Sequence, residues 1–472
     1  MENRYKKLTP AGVEHLRKIT DPGRVYVGET IKKDYWHDEM PEYGSFQPEA
    51  LVEVLTKEEV SAIMKYAWKE NIPVVVRGGG TGLAGGAICS SGGIMISMLR
   101  MNRIDPVDRA NMTISAEAGA LLCDISKEAS AVGLFYPPDP GERTASIGGT
   151  VITNAGGMRA VRYGVTRDYV RSIEGVLPDG EIVQFSSNVV KNTTGYDLKD
   201  LIIGSEGTLC ICTKVTLRLL PLPAFTRTLV VPYADLITCI ESVPKILQLN
   251  FMPTAVEFIE QEVLDMIGTH LNKPFPDNSG NAYLILMYDA ASREELENAC
   301  NQCADTCLQN GALDVKIADT PERIQSVWSV RAAVLEGLKA ESDSQEECDV
   351  VVPRAEIANY IRAAKEIGRR YNIRIVTVGH AGDGNIHTEM LRKNQTDEEW
   401  HYNTKNCLKE LYAKSKELGG QLSGEHGIGI GRIDYLEDFV GRSLYKLFQG
   451  VKKIFDEKNL LNPGKVIHFP EN

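Results

Sequence analysis

Between Gly78 and Leu99 the chain runs without a charged residue, and eight of those positions are glycine and three are serine. The run is long enough to cross a bilayer, but glycine at this density cannot sustain a spanning helix. It is backbone reserved for close approach. A helix pattern at 56–71, with Thr56 and Glu59 set as a capping box, and a short strand, Pro73 to Val76, precede it; a second apolar run, IMISML, follows. The predicted order is helix, strand, glycine loop, strand. Gly80-Thr-Gly82-Leu-Ala-Gly85 reads G-x-G-x-x-G, yet in a dinucleotide-binding βαβ unit the third glycine opens a helix, whereas here GGAICSSGG continues as non-helical backbone. A tight turn accounts for two or three of the six glycines between Gly78 and Gly86. The others predict successive N–H groups turned toward an anion such as a dinucleotide's phosphates.

Composition narrows the classes. The 472 residues, 43% hydrophobic and 25% charged, exclude a disordered or fibrous chain and predict two domains or more. Lys and Arg number 52 against 64 Asp and Glu, a net charge of −12 that disfavours nucleic acid and anionic membrane as partners. MENRYKKLTPAGVEHLRK lacks the apolar core of an export signal, so the expected location is cytoplasmic, and the ten cysteines read as reduced thiols. Cys300, Cys303 and Cys307 have a spacing that invites an iron–sulfur reading, but i, i+3, i+7 is the buried stripe of a helix and no fourth ligand follows nearby. Core packing is expected there.

From about 106 to 224 the pattern is one of strands, turns and loop, including SIEGVLPDGEIVQF with a Pro-Asp-Gly turn. After Pro223 it alternates: strand TRTLVVPY, helix DLITCIESVPKILQL, helix TAVEFIEQEVLDMIG, strand NAYLILMYD, the cysteine helix and LDVKIAD, read as a sheet with helices on one face. A strand pair, NIRIVTVGH and NIHTEML, a helix at 398–419, the loop SGEHGIGIGR and a last helix near 442–457 complete the chain.

PVVVRGGGTGLAGG, PPDPG, GGTVITNAGGMRAVRYGVTRDYV and KNTTGYDLKDLIIGSEGTLCI resemble the FAD-binding domain of vanillyl-alcohol-oxidase, or PCMH-type, flavoproteins, in the branch of glycolate oxidase flavin subunits, D-lactate dehydrogenases and D-2-hydroxyglutarate dehydrogenases. The similarity spans about residues 46–469. It implies an α+β fold: an N-terminal extension at 1–45, a PCMH-type FAD-binding domain at 46–224, and an α+β substrate or cap domain at 225–472 whose C-terminal helical segment returns to the flavin. By this resemblance Gly78, Gly79, Gly80, Thr81 and Gly82 cradle the FAD pyrophosphate, with Gly86 and Ala87 nearby. Pro138, Asp139, Ser146, Gly149, Asn154 and Gly164 line the flavin and ribityl chain, Glu206, Gly207 and Ile211 sit by the adenine side or ring edge, and Asn462 belongs to the C-terminal contact. Lys465 reads as a FAD contact or a helix-end cation. RGGGTG holds no histidine of the kind that tethers flavin in some relatives, so the FAD is expected to be non-covalent; Cys210 stands where relatives often have glycine.

The sharpest constellation is GHAGDGNIH, residues 379–387. A two-residue Asp383-Gly384 turn pairs Gly382 with Asn385, Ala381 with Ile386 and His380 with His387. Opposed residues on one face have Cβ atoms roughly 4.5–5.5 Å apart, close enough to share an ion. Glu425 in SGEHGIG supplies a third ligand, and two imidazoles with one carboxylate suit zinc, iron(II) or manganese with positions left open. The family's metal and active-site motifs match GHAGDGNIH and GEHGIG. A 2-hydroxy acid chelated through hydroxyl and carboxylate would present its Cα–H to flavin N5. His426 is the candidate base, Arg331 in VWSVRAAVLEG the carboxylate clamp, and Asn385 a further hydrogen-bonding group.

The expected activity is oxidation of a small D-2-hydroxy acid; glycolate and D-2-hydroxyglutarate are the alternatives within the class, and an oxygen-reducing alcohol oxidase or a substrate-free electron-transfer subunit the alternatives outside it. Relatives specific for dicarboxylates carry lysine before D-[VI]-x-x-P, where this chain has Cys348, which favours lactate. With no complete iron–sulfur ligand set, haem motif or spanning segment, the acceptor is another molecule; of membrane quinone, a partner iron–sulfur subunit and a soluble electron-transferring flavoprotein, the last is the expected one.

Overall fold

The computed structural model describes residues 4–469, so the first and last three residues of the expected outer domains lie outside the described residues. Contacts divide the chain into two compact units, and the division is not linear: 156–164 groups with 223–425, while 426–469 groups with 4–155 and 165–222. Both units mix helix and sheet. No helix among the described residues is long and apolar enough to cross a membrane.

In the first unit, the helix Lys57–Glu70 starts where Thr56 accepts the Glu59 amide and ends at Asn71 in left-handed backbone. The Glu59 carboxylate caps the Leu55 amide at 2.7 Å and pairs with Arg24. This helix connects Ala50–Glu53 to Val74–Arg77, both parallel to Ile94–Ser97 between them. The glycine loop leaves the Val74–Arg77 strand and returns as Ile94–Ser97, the order expected from the sequence. A second, antiparallel sheet orders Thr113–Glu117, Ile211–Arg218, Val170–Val176 and Ile182–Phe185, the last two closing the Pro-Asp-Gly hairpin.

The second unit is built on seven antiparallel strands in the order Lys316–Ala318, Phe225–Tyr233, Ala282–Ala290, Ala255–Glu260, Arg374–His380, Asn385–Leu391, Gln345–Val351. TAVEFIEQEVLDMIG is not one helix: Ala255–Glu260 is a strand and Gln261–Leu271 the helix. Every residue of that strand is buried, and a run buried on both faces has no period with which to declare itself. The sheet is likewise covered on both faces. Ile259, Tyr283, Val376 and Val378 pack with Val263, Ile267, Val330, Val334 and Leu338 on one side. On the other, Tyr360 of the helix Ile357–Arg370 reaches Cys348 and Thr388. Cys300, Cys303 and Cys307 are buried on the helix Arg293–Gln309, as core packing requires.

Candidate active site

The glycine loop sorts into two kinds of position. A Cβ on Gly78 would lie 2.0 Å from Ser146 Oγ, one on Gly80 (φ +76°) 2.0 Å from Arg77 Nη2, and one on Gly85 (φ +70°) 2.4 Å from Ile430. Those three are demanded by the chain's own packing. At Gly82 and Gly86 the nearest atoms, from Asp38 and Glu206, are 4.0 Å from a built Cβ, so the fold itself tolerates a side chain there. Bare backbone where the protein does not need it is a cradle for something else, and it suits a pyrophosphate. Thr81 and Ala87 are half-buried within the same loop.

Around it in the first unit, Arg77 is anchored by donating to the carbonyls of His37 and Asp34 at 2.7 and 2.8 Å. Ser146 caps the helix Ile147–Thr153, whose first turn contains Gly149 and whose end is Asn154 in left-handed backbone. Pro138 is buried and Asp139 half-buried in the loop before that helix. Asn462 Nδ2 donates to Gly86 O at 3.0 Å and to Glu206 O at 2.8 Å, and Gly207 (φ +69°) lies beside it. Lys465 donates to Ile88 O and Asn462 Oδ1, so it ties the C-terminal segment to the glycine loop. Ile211 is buried at the start of its strand, and the Cys210 thiol fills the space beside Gly175. Glu206 accepts the amides of Ile428 and Gly429. Gly164 ends the short helix Ala160–Tyr163 and groups with the second unit, whereas the other glycines of the set group with the first.

In the second unit the hairpin is real but its register differs from the expected one. The turn is four residues long, 381–384, with the Asp383 and Gly384 amides both donating to His380 O. His380 therefore pairs with Asn385, and His387 with Val378. A slip of two positions keeps every side chain on its face, so the imidazoles still meet diagonally. His380 Nε2 and His387 Nε2 are 3.4 Å apart, and Glu425 Oε1 is 3.3 Å from the first and 3.4 Å from the second.

The outer nitrogens are held by carboxylates that the sequence reading did not single out. His380 Nδ1 is 2.7 Å from Glu257 Oε1 and His387 Nδ1 is 3.0 Å from Glu347 Oε1. Glu257, fully buried, also accepts Arg331 Nε at 2.9 Å and Nη2 at 2.8 Å. Burial works against its charge, but His380 and Arg331 outweigh burial and hold this carboxyl below its ordinary range. Burial likewise opposes charge on His380, and Glu257 with Glu425 reverses it, raising this imidazole well above its ordinary pKa. Asn385 donates from Nδ2 to Asp349 and to Val350 O, while its buried Oδ1 has no partner among the described residues. Asp349 in turn accepts the amides of Gly424 and Glu425, fixing the loop that delivers Glu425. The one signal for these acids was a glutamate inside the apolar run AVEFIE, with two glutamates and an aspartate in EECDVV.

The donor set fits a divalent cation. With both Nδ1 atoms engaged by carboxylates, two Nε2 atoms and a carboxylate oxygen converge, an arrangement that calls for a positive charge between them. His426 lies in the first unit, on the loop that follows Glu425.

Comparison with known proteins matches two successive stretches of the chain. Residues 48–186 match the family described as FAD binding domain, and 222–466 the C-terminal domain of FAD linked oxidases. The D-lactate dehydrogenase of Anaerostipes hadrus is 43% identical over 472 residues, 99% of each chain. Glycolate oxidase subunit GlcD of Bacillus subtilis is 33% identical, covering 96% of each. A crystal structure of p-cresol methylhydroxylase superposes with a TM-score of 0.79 over 98% of both chains at 18% identity, a likeness of fold.

Proposed function

This chain belongs to the FAD-linked oxidase family of PCMH-type flavoproteins, and we propose that it is a cytoplasmic enzyme that oxidises a small D-2-hydroxy acid, D-lactate foremost, to the 2-oxo acid. The observation that carries the reading is the convergence of His380, His387 and Glu425, beside Arg331 and the unpartnered Asn385 Oδ1. When bound, FAD supplies the hydride acceptor and a divalent zinc, iron or manganese ion the Lewis acid. The FAD is non-covalent, held by Gly78–Gly82, Gly86 and Asn462.

The chain's own groups divide the remaining work. Arg331, oriented by Glu257, offers its remaining N–H groups to the substrate carboxylate. Asn385 adds a hydrogen bond to the substrate, and His426 takes the hydroxyl proton as the Cα–H bond breaks. Glu257 and Glu347 fix the imidazole tautomers so that both Nε2 atoms face inward. Cys348 lies at the sheet face under Tyr360, opposite the two histidines' face, so the expectation that its identity selects against a second substrate carboxylate has no support in its placement.

Anaerobic titration with D-lactate, L-lactate, glycolate and D-2-hydroxyglutarate, following flavin bleaching, tests this. D-lactate should bleach fastest; bleaching by none of them defeats the reading, and a rapid peroxide burst in air would reassign the enzyme as an oxidase. The electrons pass to a soluble protein, electron-transferring flavoprotein being the leading candidate. Reoxidation of substrate-reduced protein by a quinone analogue but not by that flavoprotein would overturn this assignment.

A further inference from the structure

Glu206 is a buried carboxylate in left-handed backbone (φ 51°), a conformation that disfavours a side chain unless surrounding contacts enforce it. Its Oε1 accepts the Ile428 amide at 2.6 Å and its Oε2 the Gly429 amide at 2.7 Å. A Cβ on Gly427 (φ +86°) would lie 2.8 Å from the same carboxylate, so the glycine after His426 is there to let Glu206 in. The far side of this loop is fixed too, since the Ile430 and Gly431 amides donate to Ala84 O at 2.9 and 3.2 Å. Glu206 O meanwhile accepts Asn462 Nδ2. One residue thus clamps the backbone immediately after the candidate base, on elements of a single unit.

We propose that Glu206 is a positioning residue for His426, acting through the Gly427–Gly429 backbone and not through contact with the cofactor. The inference rests on the reading of His426 as the base. Two neighbouring N–H donors require two acceptors, and a carboxylate is the side-chain group that offers an acceptor at both oxygens. Glutamine keeps the shape but turns an NH2 toward one of the amides; alanine releases both.

The test uses holoenzyme of Glu206→Gln, Glu206→Ala and His426→Asn, with FAD stoichiometry, flavin reduction by D-lactate, kcat and KM measured on each. Expected are unchanged FAD content and KM, with flavin reduction slowed about 10-fold in Glu206→Gln and about 100-fold in Glu206→Ala, the scale of a 1 Å misplacement. Loss of FAD in proportion to rate would make Glu206 a cofactor ligand and overturn the proposal, as would full-speed reduction in Glu206→Ala. Failure of the isosteric Glu206→Gln to yield folded holoenzyme would assign the residue to folding and equally overturn it. If His426→Asn turns over normally, the reading of the base fails; if it is inactive while Glu206→Ala is not, only the positioning role fails.

Discussion

His380 and His387 bring their Nε2 atoms within 3.4 Å of each other although neither is the other's cross-strand partner. Their rings meet edge to face, centroids 5.2 Å apart, each braced from behind by a different glutamate. Replacing either histidine by alanine should remove bound metal and slow turnover by more than about 100-fold, beyond what loss of an outer-shell partner costs. FAD content should be unaffected, because the glycine loop belongs to the other unit. Metal analysis and flavin absorbance on the same samples decide the matter; active wild-type protein with no metal above background would refute the site.

Glu257 serves His380 and Arg331 at once from a fully buried position. Glu257→Gln should weaken metal binding about 10- to 100-fold. It should also lower stability by about 3 kcal/mol, because the guanidinium keeps its charge and loses its counter-ion. Chemical denaturation and metal titration read the two effects separately, and a variant as stable as the wild type would show that Arg331 finds another partner.

The two kinds of loop glycine give opposite outcomes. Gly80→Val forces a branched side chain into the Arg77 guanidinium at a positive φ, and should both destabilise the apoprotein and abolish FAD binding. Gly82→Ala should leave apoprotein stability within about 0.5 kcal/mol of wild type while weakening FAD. Thermal melts with and without FAD distinguish them. Equal damage in both assays at Gly82 would place that glycine with the packing set.

Lys465 gives a pH signature. Burial pulls its pKa from 10.5 down to about 8, against the opposing pull of Cys89, Asp38 and Glu206. Between those values the unfolded chain holds a proton that the folded chain has released, so stability rises with pH through that window; below it the full cost remains. The rise is about 3 kcal/mol at most. Denaturation of FAD-free protein at pH 7.5 and 10 should show it in the wild type and not in Lys465→Met, and parallel slopes would refute it.

The hairpin was legible because Asp383-Gly384 and the flanking apolar runs announce a turn, and the imidazoles stayed on one face because strand parity survives a slip of two. The turn length itself depended on the His380 carbonyl accepting two amides, which no local residue count reveals. Ala255–Glu260 escaped detection for a related reason: a strand buried on both faces resembles any apolar run. Glu257 was hidden within it, since a buried glutamate is intelligible only once His380 and Arg331, 123 and 74 residues away, are placed beside it. Gly78, Gly80 and Gly85 likewise became packing residues only when Ser146, Arg77 and Ile430 were in place.

The braces behind the histidines also govern how the protein matures. With Glu257 on one side and Glu425 on the other, the surrounding carboxylates favour a charged His380 ring, so a metal ion has a proton to compete with there. Loading an ion is then an exchange of one cation for another, and each ion taken up sends acid into the medium.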